Sequence, residues 1–300
     1  MKSLQTIIIL GVFTLLFASM VSAVEEQTTT TANNITQPST AQALYEQGQQ
    51  LMMQEKYKEA IKCFDQVIDM EPNNILAICY KGDALLKLNQ MSEALSCFES
   101  ALKIDENCFF ALSGKIITLK DNDKINETKK LTEKALISIT PKENDDFAYL
   151  GRGDAYAALG KYEQAINDYT EAIKINPQYS WAYLNRGVIY FNLTKYEQAI
   201  KDYTEAIKIS PQFSLAYLTR GQCYSILLDH DKAIESFTEA IKINPQSADA
   251  YAARGFEYNN KSDKEKAIKD WEKVIELAPN SIAGKMAQSK LDALNDKNVK

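Results

Sequence analysis

Histidine is nearly absent from this chain: His230 stands alone among 300 residues. One imidazole cannot build a His-based zinc or iron site, which needs several such ligands. A basic excess is missing too. The 34 Lys and Arg are outnumbered by 40 Asp and Glu, for a net charge of −6. The basic residues are scattered rather than gathered in a block, so a phosphate-binding surface is lacking and nucleic acid is excluded as a partner. There is no CxxC pair, and the spacing of Cys63, Cys79, Cys97, Cys108 and Cys223 matches no zinc pattern. Their odd number leaves at least one thiol unpaired; they read as small residues on helices, with a disulfide among the first four left open. No strand precedes "GRGDAYAALG" at 151–160, so Gly151, Gly153 and Gly160 do not form a nucleotide loop. No nucleophile, base or metal set emerges, and neither an enzyme nor a cofactor is expected.

Long apolar runs are also scarce. One occurs, "IIILGVFTLLFASM" at 7–20, after a single Lys and before the small residues of "VSA". At 14 residues it is short for a membrane span, which needs about 20. The layout is that of a secretory signal cut after Ala23, which places the chain outside the cytoplasm. An uncleaved segment anchoring the chain in a membrane is the alternative. Removal of residues 1–23 takes Lys2 with it and leaves 33 basic and 40 acidic residues. The following residues, 24–40, are rich in Thr and poor in apolar side chains, the composition of a disordered linker.

What is present is repetition. "DYTEAIKINPQ" at 168–178 returns as "DYTEAIKISPQ" at 202–212 and "SFTEAIKINPQ" at 236–246. Aligned on a 34-residue period, the chain shows a glycine column of Gly48, Gly82, Gly153, Gly187, Gly221 and Gly255. An alanine column follows twelve residues later: Ala60, Ala94, Ala165, Ala199, Ala233 and Ala267. Next comes an aromatic column of Phe64, Phe98, Tyr169, Tyr203, Phe237 and Trp271. Pro72, Pro177, Pro211, Pro245 and Pro279 close the units, with Glu106 in that place in the second. Each unit reads as two amphipathic helices joined by a tight link, the second stopped by proline. Glycine inside a helix costs about 1 kcal/mol against alanine, so something must gain from the missing side chain. Close approach of the paired helices is that gain. His230 occupies a column that holds Tyr57, Tyr162 and Tyr196 elsewhere, and reads as a packing substitute.

These residues resemble the tetratricopeptide repeat, a 34-residue helix–turn–helix unit. The resemblance implies an all-α fold, a right-handed α-solenoid of seven repeats over 41–281, followed by a C-terminal capping helix and tail at 282–300. The repeats are 41–74, 75–108, 109–145, 146–179, 180–213, 214–247 and 248–281. The third is degenerate: Ile116 and Thr128 replace Gly and Ala, and three extra residues separate Gly82 from Gly153. A helix pair with a longer link is expected there, with a local change of curvature that divides the array. The cap is expected from the stripe Ala283, Ala287, Leu291 and Leu294.

Arg152, Arg186, Arg220 and Arg254 precede the glycines and read as partners of Asp168, Asp202 and Asp270, or as packed stems. In this family the first helices line a concave groove that receives a peptide or a helix. Carried onto this chain, the groove holds Phe147, Leu150, Asp154, Trp181, Leu184, Asn185, Val188, Phe191, Leu215, Leu218 and Gln222. If exposed, Phe147, Trp181, Leu184 and Phe191 make an apolar binding patch, with Trp181 its anchor; the other reading has Phe147 and Trp181 sealing neighbouring repeats. Family members that clamp acidic chaperone tails carry basic residues where this chain has Leu150, Leu184 and Leu218, so that function is rejected. The expected role is a non-enzymatic scaffold that binds a protein or peptide partner outside the cytoplasm. Self-association, or assembly of an envelope or other complex, is the alternative.

Overall fold

The computed structural model describes residues 40–119, 122–138, 141 and 145–298. The expected signal at 1–23 and almost all of the Thr-rich linker lie outside the described residues. Those described are all-helical, with fifteen helices and no strand among them. The chain divides into two compact units, the first ending at Lys195 and the second beginning at Tyr196. The division falls between the helices of the fifth pair rather than at the degenerate third.

The first unit holds α1 (Thr40–Met53), α2 (Tyr57–Met70), α3 (Ile75–Lys87), α4 (Met91–Ile104), α5 (Phe109–Thr118), α6 (Asn122–Ser138), α7 (Asp146–Ala158), α8 (Tyr162–Ile175) and α9 (Ser180–Asn192). The second holds α10 (Tyr196–Ile209), α11 (Ser214–Ile226), α12 (His230–Ile243), α13 (Ala248–Asn260), α14 (Lys264–Leu277) and α15 (Ile282–Asn298). Within each unit, helices pack on their neighbours in chain order, α1 on α2 and α2 on α3, then α11 on α12 and α12 on α13. This near-neighbour packing is that of a helical repeat array.

The column residues explain the pairing. Ala60, Ala94, Ala165, Ala199, Ala233 and Ala267 have no exposed surface. In five of the pairs the aromatic of the second helix presses on the glycine of the first: Phe64 on Gly48, Phe98 on Gly82, Tyr169 on Gly153, Phe237 on Gly221 and Trp271 on Gly255. A Cβ added at Gly153 would meet Tyr169 Cε1 at 2.6 Å, and one at Gly48 would meet Phe64 Cε1 at 2.6 Å. Real carbons do not approach so closely, so the ring has claimed the space that a side chain would take.

The turn inside each regular pair is equally uniform. One residue takes a left-handed backbone: Glu55, Asn89, Gly160 and Thr194 in the first unit, Leu228 and Ser262 in the second. The next residue's N–H then reaches back across the turn, as Lys161 does to the Tyr156 carbonyl at 2.8 Å and Asp229 to that of Tyr224 at 2.9 Å. These bonds use carbonyls that the ending helix would otherwise leave unpaired.

The third pair departs from this pattern in a specific way. Its first helix, α5, has 10 residues, where the regular first helices α3, α7 and α9 have 13. Its second, α6, has 17 where α4 and α8 have 14. The helix break has moved three residues toward the N-terminus while the inner link, 119–121, keeps its usual length. The longer link is the one that follows the pair, residues 139–145. Helix α5 reads "FFALSGKIIT", apolar on nearly every side, and packs against α3, α4, α6 and α7. A helix apolar all round is one surrounded by others. At the C-terminal end, α15 covers the last pair as expected: Ala287 joins Ala267, Trp271 and Val274 in one buried cluster, with Leu291 packed against it.

Candidate functional site

The groove residues were assigned by their place on the first helices, and the structure puts them there. It does not leave them open. In the first unit Leu150, Leu184, Asn185 and Val188 have no exposed surface, Trp181 keeps 1%, Asp154 2% and Phe191 5%. Phe147 is half-buried. In the second unit Leu215 and Leu218 are buried and Gln222 half-buried. The exposed apolar patch of Phe147, Trp181, Leu184 and Phe191 is therefore not formed; three of the four are interior.

The physical reason lies in the third pair and in what gathers on the inner face of the first unit. Because α5 packs directly on α7 as well as on α3, the first helices draw together around it. Tyr45 on α1, Tyr80 on α3 and Tyr179 at the start of α9 are all buried. They lie close enough for Tyr179 to act electrostatically on both of the others. Tyr45 and Tyr80 meet edge to face at 5.7 Å between ring centres, and Tyr80 meets Phe110 of α5 at 5.8 Å. Burial pushes the phenols of Tyr45 and Tyr80 well above their ordinary pKa. This face is a packed interior, not an empty channel.

Polar residues inside it are used by the fold. The Asp154 carboxylate, Oδ1, accepts from the Tyr169 hydroxyl at 2.7 Å and from Asn185 Nδ2 at 2.8 Å, tying α7 to α8 and α9. Asp154 and Asn185, expected to face a ligand, face each other. Asp83 on α3, one residue after Gly82 as Asp154 is after Gly153, is 1% exposed. Its carboxyl is pushed up to about 7 by burial, against the pull of Lys87.

The arginine column is also structural. Arg152 grips Asp168 through two hydrogen bonds of 2.7 Å, and Arg254 grips Asp270 at 2.9 and 2.8 Å. Arg186 donates to Thr170, and Arg220, which finds serine in the acidic column, donates to Ser236. Arg152 and Arg254 also lie over Tyr149 and Tyr251.

His230 begins α12 and makes a contact that sequence reasoning missed. Its Nδ1 lies 2.6 Å from Oε2 of Glu257, whose Oε1 accepts from the Ser225 hydroxyl at 2.5 Å. Glu257 on α13 is 2% exposed, so the histidine and serine serve a buried carboxylate between neighbouring pairs. The serine and the imidazole each meet a different oxygen of that carboxylate. A shallow cavity of about 500 Å³ beside them is lined by Leu227, Leu228, Asp229, His230, Asp231 and Lys261. The column position of His230 was readable; a buried glutamate two residues past the glycine of the next repeat was not.

Among the described residues no group of His, Cys, Asp and Glu is placed to hold a metal, and no helix is long and apolar enough to cross a membrane. All five cysteines are unbonded.

This pattern of stacked helix pairs is the tetratricopeptide repeat, and the chain belongs to that family. Its family models match as tetratricopeptide repeat over 41–74, 77–108, 180–213, 214–247 and 248–281, and as TPR repeat over 153–194. Proteins of the family typically bind protein or peptide partners, and the repeat is a scaffold rather than a catalytic framework. No curated protein matches the sequence. Among solved structures, Cut9 in the APC/C hetero-tetramer Cut9–Hcn1 is similar with a TM-score of 0.53 at 18% identity. That match covers 81% of this chain and 48% of the solved one. A human IFIT1 dimer with PPP-AAAA is similar with a TM-score of 0.65 at 17% identity, over 86% of this chain and 64% of that one. The chain thus spans between about half and two thirds of these structures, and the likeness is one of fold.

Proposed function

We propose that this chain is a non-enzymatic scaffold that binds a protein or peptide partner outside the cytoplasm, with first-helix residues of the repeats as the contact surface. The observation that carries this reading is the repeated helix pair itself, in a family whose typical ligands are proteins and peptides. Location outside the cytoplasm rests on the apolar run at 7–20 and the small residues that end at Ala23.

Burial decides which groove residues take part. Those of α7 and α9 that are interior set the shape of the first unit, while Phe147 stays half-open there. In the second unit Gln222 on α11 is half-buried, and its carbonyl Oε1 accepts no hydrogen bond from the described residues. A shielded acceptor on the concave face suits a backbone N–H of a bound segment, because it gains a bond that water supplies poorly there.

The test is a crosslinking pull-down from the exported fraction with the intact chain, Gln222→Leu and Phe147→Ala. Gln222→Leu removes the acceptor while keeping the volume. Capture of one defined partner by the intact chain, weakened about tenfold or more by Gln222→Leu, supports the groove; a lost hydrogen bond of about 1.5 kcal/mol has that effect. Equal capture by all three moves the contact to the outer face of the second helices. A mass that rises with concentration in the purified chain alone replaces this reading with self-association.

A further inference from the structure

The arginine column contains one member that is not answered like the others. Arg152 and Arg254 each present one edge of the guanidinium, Nε and Nη2, to both carboxylate oxygens of an aspartate sixteen residues on. Arg254 also donates from Nη1 to the Thr238 hydroxyl at 3.2 Å. Arg220 on α11 meets Ser236 on α12 in place of that aspartate. Its Nε donates to Ser236 Oγ at 3.3 Å, and its side chain lies against the Tyr217 ring at 5.4 Å. Among the described residues neither of its terminal nitrogens has an acceptor, and no carboxylate pairs with it.

The serine carries an unused donor as well. Ser236 is 1% exposed. Its oxygen accepts from Arg220, but its O–H donates to nothing among the described residues. The threonines two places further along the same helices behave otherwise. Thr204 and Thr238 each donate to the carbonyl four residues back, at 2.7 Å. Nor does the next acid on α12 turn toward the arginine, since Glu239 is held by Lys242 at 2.6 Å. A half-buried guanidinium and a buried hydroxyl thus stand together with donors to offer and no counter-charge. Leaving such a charge unanswered is costly, and a fixed guanidinium fork suits a carboxylate or another small anion.

We propose that Arg220 and Ser236 bind one small monovalent anion, a halide or a carboxylate of formate's size, between α11 and α12. The anion accepts from Nη2 of Arg220 and from the Ser236 hydroxyl, and so does what Asp168 and Asp270 do in the fourth and seventh pairs. Serine is shorter than aspartate by one carbonyl group, and its burial limits the ligand to a few atoms. The sixth pair is therefore tied by an ion taken from the medium, where other pairs use a side chain of their own.

Thermal unfolding of the full-length chain tests this, with sodium chloride or sodium formate raised from about 5 to about 200 mM, beside Ser236→Asp and Arg220→Gln. Ser236→Asp supplies from the chain the carboxylate that Arg152 and Arg254 already have. A ligand of the folded state raises the melting temperature with its concentration, so the intact chain should gain roughly 2 to 4 °C more than Ser236→Asp over that range. General salt effects act on both chains and cancel in this difference. An extra gain in chloride alone assigns a halide, and one in formate alone assigns a carboxylate. Arg220→Gln removes the guanidinium, and its gain should fall to that of Ser236→Asp. Equal gains for the intact chain and Ser236→Asp in both salts overturn the proposal, as does an extra gain that Arg220→Gln retains.

Discussion

Asp83 is a carboxyl with almost no contact with water, and the direction of its titration follows from that. In an unfolded chain an aspartate loses its proton near pH 4. In the fold burial holds the proton on until about pH 7, with Lys87 opposing. The folded state therefore binds this proton more tightly than the unfolded state does. Stability is undiminished below the unfolded value, falls as pH rises through the interval, and carries a constant penalty above about 7. The interval corresponds to a cost of about 4 kcal/mol at alkaline pH. Asp83→Asn keeps the shape and removes the charge, and Glu55 remains within electrostatic reach of Lys87. The variant should melt with the parent at pH 4 and several degrees above it at pH 8, in thermal scans read by circular dichroism. Parallel curves at both pH values would show that Asp83 is hydrated and not carrying a buried charge.

At the scale of the element, the turn between paired helices is where sequence and backbone disagree most openly. Leu228 sits at φ 62 with 73% of its surface exposed, in the step that Gly160 fills at φ 73 in the fourth pair. A leucine pays about 1–2 kcal/mol for that backbone and recovers little by packing here. Leu228→Gly should raise the melting temperature by roughly 2 to 4 °C, net of the freedom glycine adds to the unfolded chain. No change in a thermal scan would show that the leucine is repaid by contacts along the cavity beside His230. The helix pairs themselves were legible because Gly153, Ala165 and Tyr169 recur as a set, each demanding the others sterically. The third pair was legible as an insertion but not as a shift, since Ile116 and Thr128 break the columns that carry register. The apolar run "FFALSGKII" was the signal that could have found it. The groove was legible only in part. The period assigns Trp181 and Leu184 to the face of a first helix, but what covers that face depends on packing between non-adjacent helices, such as that of α5 on α3 and α7. No column records that packing. The contact of His230 with the carboxylate of Glu257 was hidden for the same reason: it joins different pairs.

At the scale of the whole molecule, a repeat array has no built-in end, since every pair offers its successor the surface it took from its predecessor. In the second unit that surface is the outer side of α14, where Trp271 keeps 1% of its area exposed and Val274 none. Helix α15 covers it, held at its start by the Ser281 hydroxyl accepting from the Gly284 N–H at 2.9 Å. Gly284 itself lies against the backbone carbonyl of Ala278, so no larger residue fits there. Polar residues such as Gln288 and Lys285 face outward, turning an apolar end into a wetted one. Ending the chain at residue 281 should therefore expose an indole and its neighbours, lower the melting temperature by several degrees and drive association through the bared end. Ala287→Asp, which sets a carboxylate in the same cluster, should cost about 3 kcal/mol or more without shortening the chain. Size-exclusion chromatography with light scattering separates the outcomes. Aggregation of both variants assigns solubility to the α15 contact, whereas a monomeric, equally stable truncation would mean that the last pair closes its own end.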